Sequence, residues 1–370
     1  LIDRENDGFY GRVDGTNTLI TEADKGGVLN ARILWTFSAA YRLTGDTSYL
    51  VAALRANNYL LKYFVDREFG GVYWKLNYKG EPVDSKKQIY NLAFAIYGLS
   101  EYYRISKNDN SLTTAIHLFE TIERYSYDPQ RGGYLESFSR EWGELTDMRL
   151  SEKDENEKKT MNTHLHILEA YTNLYKVWKS PVLKIQLERL ITLFTTTFIN
   201  PENNHLLLFF DEDWNSKSDV VSFGHDIETA WLLYSAANAT GNPTLKASTR
   251  EMLFKITDAS LEGYNEDGSM NYEYSATQSK TDTERHWWVQ AETVVGLLYA
   301  YSESSDNRYL YLAEKTWNYI KEHIIDRRHG EWFWSCFENG ATNTLQDKAG
   351  FWKCPYHNSR MCIEIDRIRI

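Results

Sequence analysis

The segment from Ser222 to Trp231 brings together three side chains that can take part in a proton transfer. His225, Glu228 and Trp231 follow at intervals of three, so they share one face of a helix that is predicted to begin at His225. An imidazole that titrates near neutral pH then lies one turn from a carboxylate that can fix its tautomer and from an indole that can carry the flat face of a ligand. A helix start whose histidine and glutamate only pair with their neighbours is the alternative interpretation.

Further clusters of polar and aromatic residues open predicted helices in the same way. They are Asn30–Trp35, Lys87–Asn91, Met161–His166, Trp287–Glu292 and Trp352–Asn358. If these helices run parallel in a closed ring, their starts converge with that of His225 on one mouth. The free N–H groups and dipoles of the helix starts would favour an oxyanion there. Core packing alone does not explain so many clusters at equivalent positions.

The histidines of these clusters are candidate bases on a shared cavity. His166 lies on the same helix face as Asn162, whereas His164 points to another face and is interpreted as a packing residue. Proton transfer at a carbon beside a carbonyl needs near-neutral bases on two faces of a planar enediolate. Glu228 and Glu292 suit the task of orienting histidines, although a hydrolase would use such a pair as acid and base.

The composition favours some classes of binding partner over others. A net charge of −11 disfavours nucleic acid and anionic lipid, and the sequence has no apolar run long enough to span a membrane. The 12 Trp, 26 Tyr and 16 Phe suit sugar binding, because aromatic rings stack on the C–H faces of pyranoses. No H-E-x-x-H or comparable closely spaced ligand set occurs, so we do not expect a metal site.

The cysteines indicate the compartment. Cys336, Cys354 and Cys362 are odd in number and lack C-x-x-C spacing, which favours a reducing environment over a disulfide framework. We therefore expect a cytoplasmic protein, either a monomer or a weak homo-oligomer. The charged run from Glu152 to Lys159 has no apolar residue and is predicted to be a solvated loop rather than a binding element.

A Gly-aromatic turn recurs along the chain and divides it into six units of about sixty residues. The turns are Asn6–Tyr10, Phe69–Trp74, Arg131–Tyr134, Asn203–Leu206, Glu266–Met270 and His329–Trp334. Pairs of segments with apolar residues at three- and four-residue steps lie between these turns, which is typical of amphipathic helices. The repeat therefore predicts stacked helix pairs with hairpin-like loops along one rim.

These segments predict the helices as well as their order. The predicted ranges are Val28–Leu43, Ser48–Val65, Gln88–Ile105, Ser111–Tyr125, Lys159–Trp178, Pro181–Phe198, His225–Thr240, Leu245–Leu261, Trp288–Ser302, Asn307–Ile325 and a last segment from His357 onward. We predict an all-α fold, an (α/α)6 barrel of six helix pairs that forms one domain over residues 1–370. The first helix is expected to precede Leu1, outside this numbering. An open α-solenoid is the alternative, because periodicity alone does not require closure.

The motifs that contain Arg32, His166, His225, Glu292 and His357 together resemble the cellobiose 2-epimerases of the N-acylglucosamine 2-epimerase superfamily. The resemblance extends from Gly8 to the C-terminus, and the family fold is an (α/α)6 barrel. It implies 2-epimerisation of the reducing-end sugar of a β-1,4-linked disaccharide, cellobiose or mannobiose, through a cis-enediolate and without a cofactor.

The resemblance also implies roles for individual residues. His225 and His357 would exchange the C2 proton on opposite faces, and His166 would assist ring opening. The expected substrate-binding and orienting residues are Arg32, Tyr90, Asn162, Glu228, Trp288, Glu292 and Trp352. Gln88 departs from relatives that carry His there and is a feature of mannobiose-acting members, so the preferred disaccharide stays open. Glycoside hydrolysis and 2-epimerisation of mannose or N-acetylglucosamine are the alternative activities.

Overall fold

The computed structural model of the chain describes residues 1–368, and α-helices dominate it. The helices are Gly27–Thr44 (α1), Thr47–Tyr59 (α2), Ile89–Ser106 (α3), Asp109–Tyr125 (α4), Met161–Val177 (α5), Pro181–Leu193 (α6), Phe223–Thr240 (α7), Pro243–Ser260 (α8), Trp287–Ser304 (α9), Asn307–Tyr319 (α10) and Tyr356–Ile368 (α11). Each corresponds to a predicted helix, with boundaries that differ by a few residues. The last two positions of the segment predicted from His357 onward, 369 and 370, lie outside the described residues.

The odd-numbered helices form a closed inner ring. Each packs against the next in chain order, from α1 through α3, α5, α7 and α9 to α11, and α11 packs back against α1. This closure confirms the (α/α)6 barrel and excludes the open solenoid. Within residues 1–368 the ring is surrounded by five outer helices, the even-numbered ones. The expected helix before Leu1 stays a prediction.

The inner helices are buried because they are apolar on nearly all sides. In α3 every residue from Ile89 to Tyr102 is buried, whereas α4 buries only one stripe. The ring is tight: a Cβ atom added to Gly98 of α3 would lie 2.7 Å from the carbonyl oxygen of Ala31 in α1. No helix within the described residues is both long and apolar enough to cross a bilayer.

Short strands lie on the rim where the inner helices begin. They are Lys25–Gly26 (β1), Lys75–Leu76 (β2), Pro82–Asp84 (β3), Lys87–Gln88 (β4), Ser137–Phe138 (β5), Lys159–Thr160 (β6), Phe209–Phe210 (β7), Val220–Ser222 (β8), Glu273–Ser275 (β9), Lys280–Asp282 (β10), Arg285–His286 (β11) and Ser335–Cys336 (β12). All the pairings between them are antiparallel.

The six predicted Gly-aromatic turns are hairpins. Each is closed by one antiparallel bridge: Ile2 with Phe9, Val65 with Val72, Tyr127 with Tyr134, Ile199 with Leu206, Tyr264 with Met270, and Ile325 with Trp332. Outer helices lead into the last five of these hairpins, in three cases through a π-helical turn, at Leu60–Phe64, Phe194–Phe198 and Ile320–Ile324. The repeat inferred from the glycine spacing is therefore confirmed.

Buried Lys–Asp pairs fasten four of these hairpins to the rim. In the second unit Asp66 Oδ1 accepts hydrogen bonds from the N–H groups of Glu68 and Phe69, while Oδ2 lies 2.7 Å from Lys87 Nζ. Asp66 and Lys87 are both fully buried, and Lys87 directly precedes α3. Equivalent pairs are Lys25 with Asp3, Lys159 with Asp128, and Lys348 with Asp326. Each pair joins a turn to the segment that leads into the next inner helix.

Replacement of one partner tests whether these pairs stabilise the barrel. We expect Asp66→Ala to lower the free energy of unfolding by about 3–5 kcal/mol, because the Lys87 ammonium stays buried without its counterion. Asp258→Ala removes half of a pair with Arg308 in which both side chains are about half exposed, and we expect it to cost about 1 kcal/mol or less. Urea unfolding of both variants makes the measurement, and equal losses would contradict a special role for the buried pairs.

Candidate active site

One cavity of about 570 Å³ opens at the end of the barrel where the inner helices begin. Its lining includes every candidate site residue except Glu292: Arg32, Tyr90, Asn162, His166, His225, Glu228, Trp288, Trp352 and His357. Glu292 is fully buried and lies behind His357. The helix starts thus converge as predicted.

Three of the four histidines on the cavity wall are predicted site residues, and each of the three is held through its Nδ1 atom; the fourth is His286. His166 Nδ1 lies 3.0 Å from Glu169 Oε2, and His357 Nδ1 lies 2.8 Å from Glu292 Oε1. His225 Nδ1 lies 2.8 Å from the hydroxyl of Ser222. Since Nδ1 is engaged in all three rings, Nε2 is the atom left for a ligand.

Trp288 lies beside two of these histidines. The centroid of its ring is 4.9 Å from that of His225 and 5.7 Å from that of His357. Gly224 makes this arrangement possible, because a Cβ atom there would lie 2.6 Å from Trp288 Cη2. Gly224 lies within the first turn of α7, where the absence of a side chain allows this close packing.

Arg32 faces the cavity from α1 and is held by two neighbours. Its Nη2 donates to the Tyr90 hydroxyl at 2.8 Å, and its Nη1 donates to the Trp352 carbonyl at 2.8 Å. Arg32 Nε and Asn162 Oδ1 are buried and have no partner among the described residues. Buried polar atoms are normally hydrogen-bonded, so a donor and an acceptor on the cavity wall are available for sugar hydroxyls.

Arg360 of α11 lies at the centre of the charges below the cavity. Its guanidinium contacts carboxylates from three other inner helices, namely Glu169, Glu228 and Glu292. The Tyr356 hydroxyl adds a 2.6 Å hydrogen bond to Glu169, and the Trp231 indole N–H donates to Glu292 at 3.1 Å. The glutamates that hold His166 and His357 are therefore both anchored to one cation.

Burial controls the titration of the site. Burial lowers the pKa of His225 to about 4, although the negative charge of Glu228 acts to raise it. Burial and then the charge of Arg360 lower the pKa of His357 well below its usual value. For Glu169, burial acts to raise the pKa, but Arg360 and the hydrogen bond with His166 outweigh it, so the net shift is downward. At neutral pH the two histidines beside Trp288 are neutral and can accept protons.

A cluster of potential metal ligands lies within this network. Ligand atoms of Glu228, Glu292 and His357 lie within 4.8 Å of one another. However, the Arg360 guanidinium contacts both carboxylates, so a positive charge is already bound where a cation would be held. The donor set does not fit a metal ion as long as Arg360 is in place.

Two features of the opening segment differ from the expectation. The Glu228 carboxylate binds Arg360 rather than the His225 ring, so it acts on the imidazole through its charge. Trp231 is 3% exposed, stacks on Tyr299 and supports Glu292, so it is a core residue and not a platform for a ligand. Trp288, which belongs to the next inner helix, lines the cavity instead.

The charged run Glu152–Lys159 is a loop as far as Lys158, as predicted, but it also lines the cavity, and its last residue, Lys159, is fully buried in β6. Residues Arg149–Glu155 and Glu157 contribute to the cavity wall at its mouth. The Gln88 side chain, which is fully buried, donates to the carbonyl oxygens of Met148 and Arg149 at 3.0 Å each and so holds the start of this segment. A stretch without apolar residues was interpreted as solvated because its local sequence carries no sign of the cavity beneath it.

Sequence reasoning missed several residues that position the site, including Glu169, Ser222, Tyr356 and Arg360. It also missed Glu136, which is 1% exposed and accepts hydrogen bonds from the Thr160 and Thr163 hydroxyls at the start of α5. The i, i+3 spacing of His166 and Glu169 was a usable signal. The partners of Arg360 are distant in sequence, so no local pattern indicates them.

A closed ring of inner helices, with the cavity at the end where these helices begin, places the molecule among the (α/α)6-barrel proteins. Residues 8–360 match the model of the N-acylglucosamine 2-epimerase (GlcNAc 2-epimerase) family. The chain therefore belongs to that family.

Relatives within the family are similar over almost the whole chain. The cellobiose 2-epimerase of Bacteroides fragilis is 54% identical over 99% of this chain and 93% of its own length. That of Ruminococcus albus is 41% identical over 99% and 93%. The structure of the cellobiose 2-epimerase from Bacillus thermoamylovorans B4167 superimposes with a TM-score of 0.94 at 40% identity, covering 99% of this chain and 94% of that one.

Removal of the central cation tests the charge network. We expect Arg360→Met to lower the free energy of unfolding by about 3–5 kcal/mol at pH 8, because three buried carboxylates lose their counterion. Loss of the cation raises the pKa of Glu169 and Glu292, so the folded state binds more protons than the unfolded one and the deficit shrinks as the pH falls towards 5. Urea unfolding at both pH values measures the change.

Arg104→Met is the matched control for this prediction. Arg104 pairs with Glu101 on α3 and is 27% exposed, and Glu101 keeps Arg42 as a second partner. We expect a loss of about 1 kcal/mol or less with little dependence on pH. A deficit in Arg360→Met that grows as the pH is lowered would contradict the assigned role of Arg360.

Proposed function

We propose that the protein is a cofactor-independent 2-epimerase that acts on the reducing-end sugar of β-1,4-linked disaccharides. The observation that carries this proposal is the pair of histidines beside Trp288, His225 and His357, on different inner helices and each held through Nδ1. Two such bases can remove a proton from one face of a carbon and return it to the other. The names of the full-length relatives support the same reaction and the same class of sugar.

Ring opening is the first step of the proposed reaction. His166 is the acid–base group for this step, because Glu169 holds its Nδ1 and leaves Nε2 towards the cavity. The proton of the C1 hydroxyl leaves as the C1–O5 bond breaks, and O5 gains a proton, which yields the open-chain aldehyde. Arg32 and Tyr90 hold hydroxyls and the carbonyl oxygen close to C2.

Epimerisation follows at C2. One of the pair His225 and His357 takes the C2 proton with Nε2, and the electrons of that C–H bond form the cis-enediolate. The other histidine, neutral at the start, takes up a proton from water and returns it to the opposite face of C2, and the first histidine then gives its proton to water. Arg32 supplies positive charge next to the developing oxyanion, as an oxyanion site requires. The reverse reaction exchanges the two roles.

The cavity supports a disaccharide as the substrate. Its volume of about 570 Å³ is within the range for small-molecule sites and larger than one pyranose needs. The indoles of Trp288 and Trp352 line it and offer flat surfaces for sugar rings. Cellobiose and β-1,4-mannobiose are both candidate substrates.

Hydrolysis of the glycosidic bond is the alternative reaction, and the surroundings of the carboxylates argue against it. Glu228 is ion-paired with Arg360 and 1% exposed, so it is a poor proton donor. Asp226 is fully buried, binds His205 at 2.7 Å and is absent from the cavity lining. Neither carboxylate has the surroundings of a hydrolytic acid.

The composition supports a proposal for the binding partners and the cellular compartment of the enzyme. A net charge of −11 argues against nucleic acid as a partner. Cys336, Cys354 and Cys362 are free thiols, which suits the reducing cytoplasm. We propose a cytoplasmic enzyme that is a monomer or a weak homo-oligomer.

Replacement of either proposed base tests the two-base reaction. We expect His225→Asn and His357→Asn each to lower turnover of cellobiose or mannobiose by at least about 100-fold, because one face of C2 loses its proton-transfer group. His117→Asn is the control, since that residue lies on the outer helix α4. Near-normal turnover in either folded base variant would disprove the two-base assignment.

The substrate is identified by incubation of the protein in D2O with cellobiose, β-1,4-mannobiose, mannose and N-acetylglucosamine in turn. We expect NMR to show deuterium at C2 and the C2 epimer for a disaccharide, at a higher rate than for either monosaccharide. Release of monosaccharide from cellobiose would instead indicate a hydrolase. Faster turnover of mannose or N-acetylglucosamine would refute the disaccharide assignment.

A further inference from the structure

Ser222 occupies the N-cap of α7 but does not cap the helix. Its hydroxyl makes no hydrogen bond to a backbone N–H of the first turn. Instead Oγ lies 2.8 Å from His225 Nδ1. Ser222 is fully buried, whereas His225 is half-buried and lines the cavity.

Ser222 differs in this respect from comparable residues in the same chain. Among α1–α10, for which the N-cap is described, every other Ser, Thr, Asp or Asn at the N-cap accepts a hydrogen bond from the first turn: Asp46, Asn108, Thr160, Ser180, Asn242 and Asp306. Capping is the usual reason for these residue types at this position. At α7 that stabilising bond is given up for a contact with a cavity histidine.

The contact matters because His225 has no carboxylate on its ring. Glu169 and Glu292 hold His166 and His357 and can only accept from Nδ1–H when ionised. Glu228, one turn from His225, is bound by Arg360 instead. Among the described residues, the Ser222 hydroxyl is the one hydrogen-bond partner of the His225 ring.

We propose that Ser222 is the positioning residue of His225, an inference that rests on the proposed epimerase function. Ser222 Oγ accepts a hydrogen bond from Nδ1–H, which leaves Nε2 unprotonated towards the cavity and ready to take the C2 proton. The same bond persists when Nε2 is protonated, so the ring keeps its orientation while the proton is held. Without the hydroxyl, the ring can rotate, or its proton can move from Nδ1 to Nε2. In either case Nε2 is not available to accept the C2 proton.

Steady-state kinetics of Ser222→Ala test the proposal. We expect kcat to fall about 10- to 100-fold with KM changed less than about twofold, because the hydroxyl supports proton transfer and not binding. Ser222→Thr keeps a hydroxyl at the same position and should retain most of the activity. A kcat for Ser222→Ala within about twofold of the wild-type value would overturn the inference.

Ser180→Ala is the matched control, since Ser180 caps the outer helix α6 by accepting from the Leu183 N–H. The two variants should show opposite effects. Ser180→Ala should lower Tm by about 2 °C and leave kcat unchanged, whereas Ser222→Ala should lower kcat and leave Tm nearly unchanged. If Ser222→Ala lowers Tm as Ser180→Ala does and kcat stays at the wild-type value, Ser222 has only a structural role and the proposal is wrong.

The tautomer of His225 is a direct readout that does not depend on turnover. The protein contains nine histidines, and ¹⁵N labelling of their rings with assignment by His225→Asn isolates the signal of His225. We expect the proton on Nδ1 in the wild-type protein and a shift towards Nε2 in Ser222→Ala. If Ser222→Ala does not fold, Ser222→Gly takes its place, because glycine is tolerated at an N-cap.

These measurements separate the inference from the proposed function. A wild-type protein that exchanges no C2 hydrogen in D2O refutes the epimerase, whatever the tautomer shows. A wild-type protein that does exchange C2 hydrogen, together with an unchanged His225 tautomer in Ser222→Ala, refutes only the role of Ser222.

Discussion

The arrangement of the cavity depends on one buried cation. Arg360 contacts glutamates from α5, α7 and α9, and it is itself on α11, so a single guanidinium joins four of the six inner helices. Glu169 binds Arg360 with Oε1 and His166 with Oε2. Glu292 contacts both Arg360 and His357 with Oε1. The positions of two imidazoles therefore follow from the position of the guanidinium. A planar group with five donors suits this task, whereas an ammonium group cannot reach three carboxylates in fixed directions.

Much of the fold could be predicted because its signals are local. The apolar steps of three and four residues and the Gly-aromatic turns repeat within each unit, so helix order and hairpin positions follow from short stretches of sequence. The closure of the ring between α11 and α1 is a long-range contact and was supported by the resemblance and not by periodicity. Cavity residues such as Arg32, His166 and His225 were predictable because they lie in the first turns of the inner helices, where unusual residue types stand out.

The residues that position the histidines were harder to find, for two different reasons. Arg360 stands in an ordinary polar stretch, and its partners Glu228 and Glu169 lie 132 and 191 positions away. Ser222 has the sequence of a common N-cap, so its type gives no sign that the hydroxyl binds a ring. In both cases the chemistry depends on where the side chain points. That direction is set by packing, as with the close approach of Trp288 that Gly224 allows.

The buried Lys–Asp pairs separate the part of the rim that must stay fixed from the part that can vary. Lys87 and Lys159 fix the starts of α3 and α5, and Asp66 and Asp128 fix the turns that precede them. The intervening segments, 73–86 and 135–158, differ in length, and the longer one contributes residues to the cavity mouth. Replacement of the longer segment beyond Phe138 would therefore change the cavity mouth, while Glu136 and the Lys159–Asp128 pair keep the start of α5 in place. The barrel thus combines fixed helix starts, which carry the histidines, with a loop at the cavity mouth that can change independently.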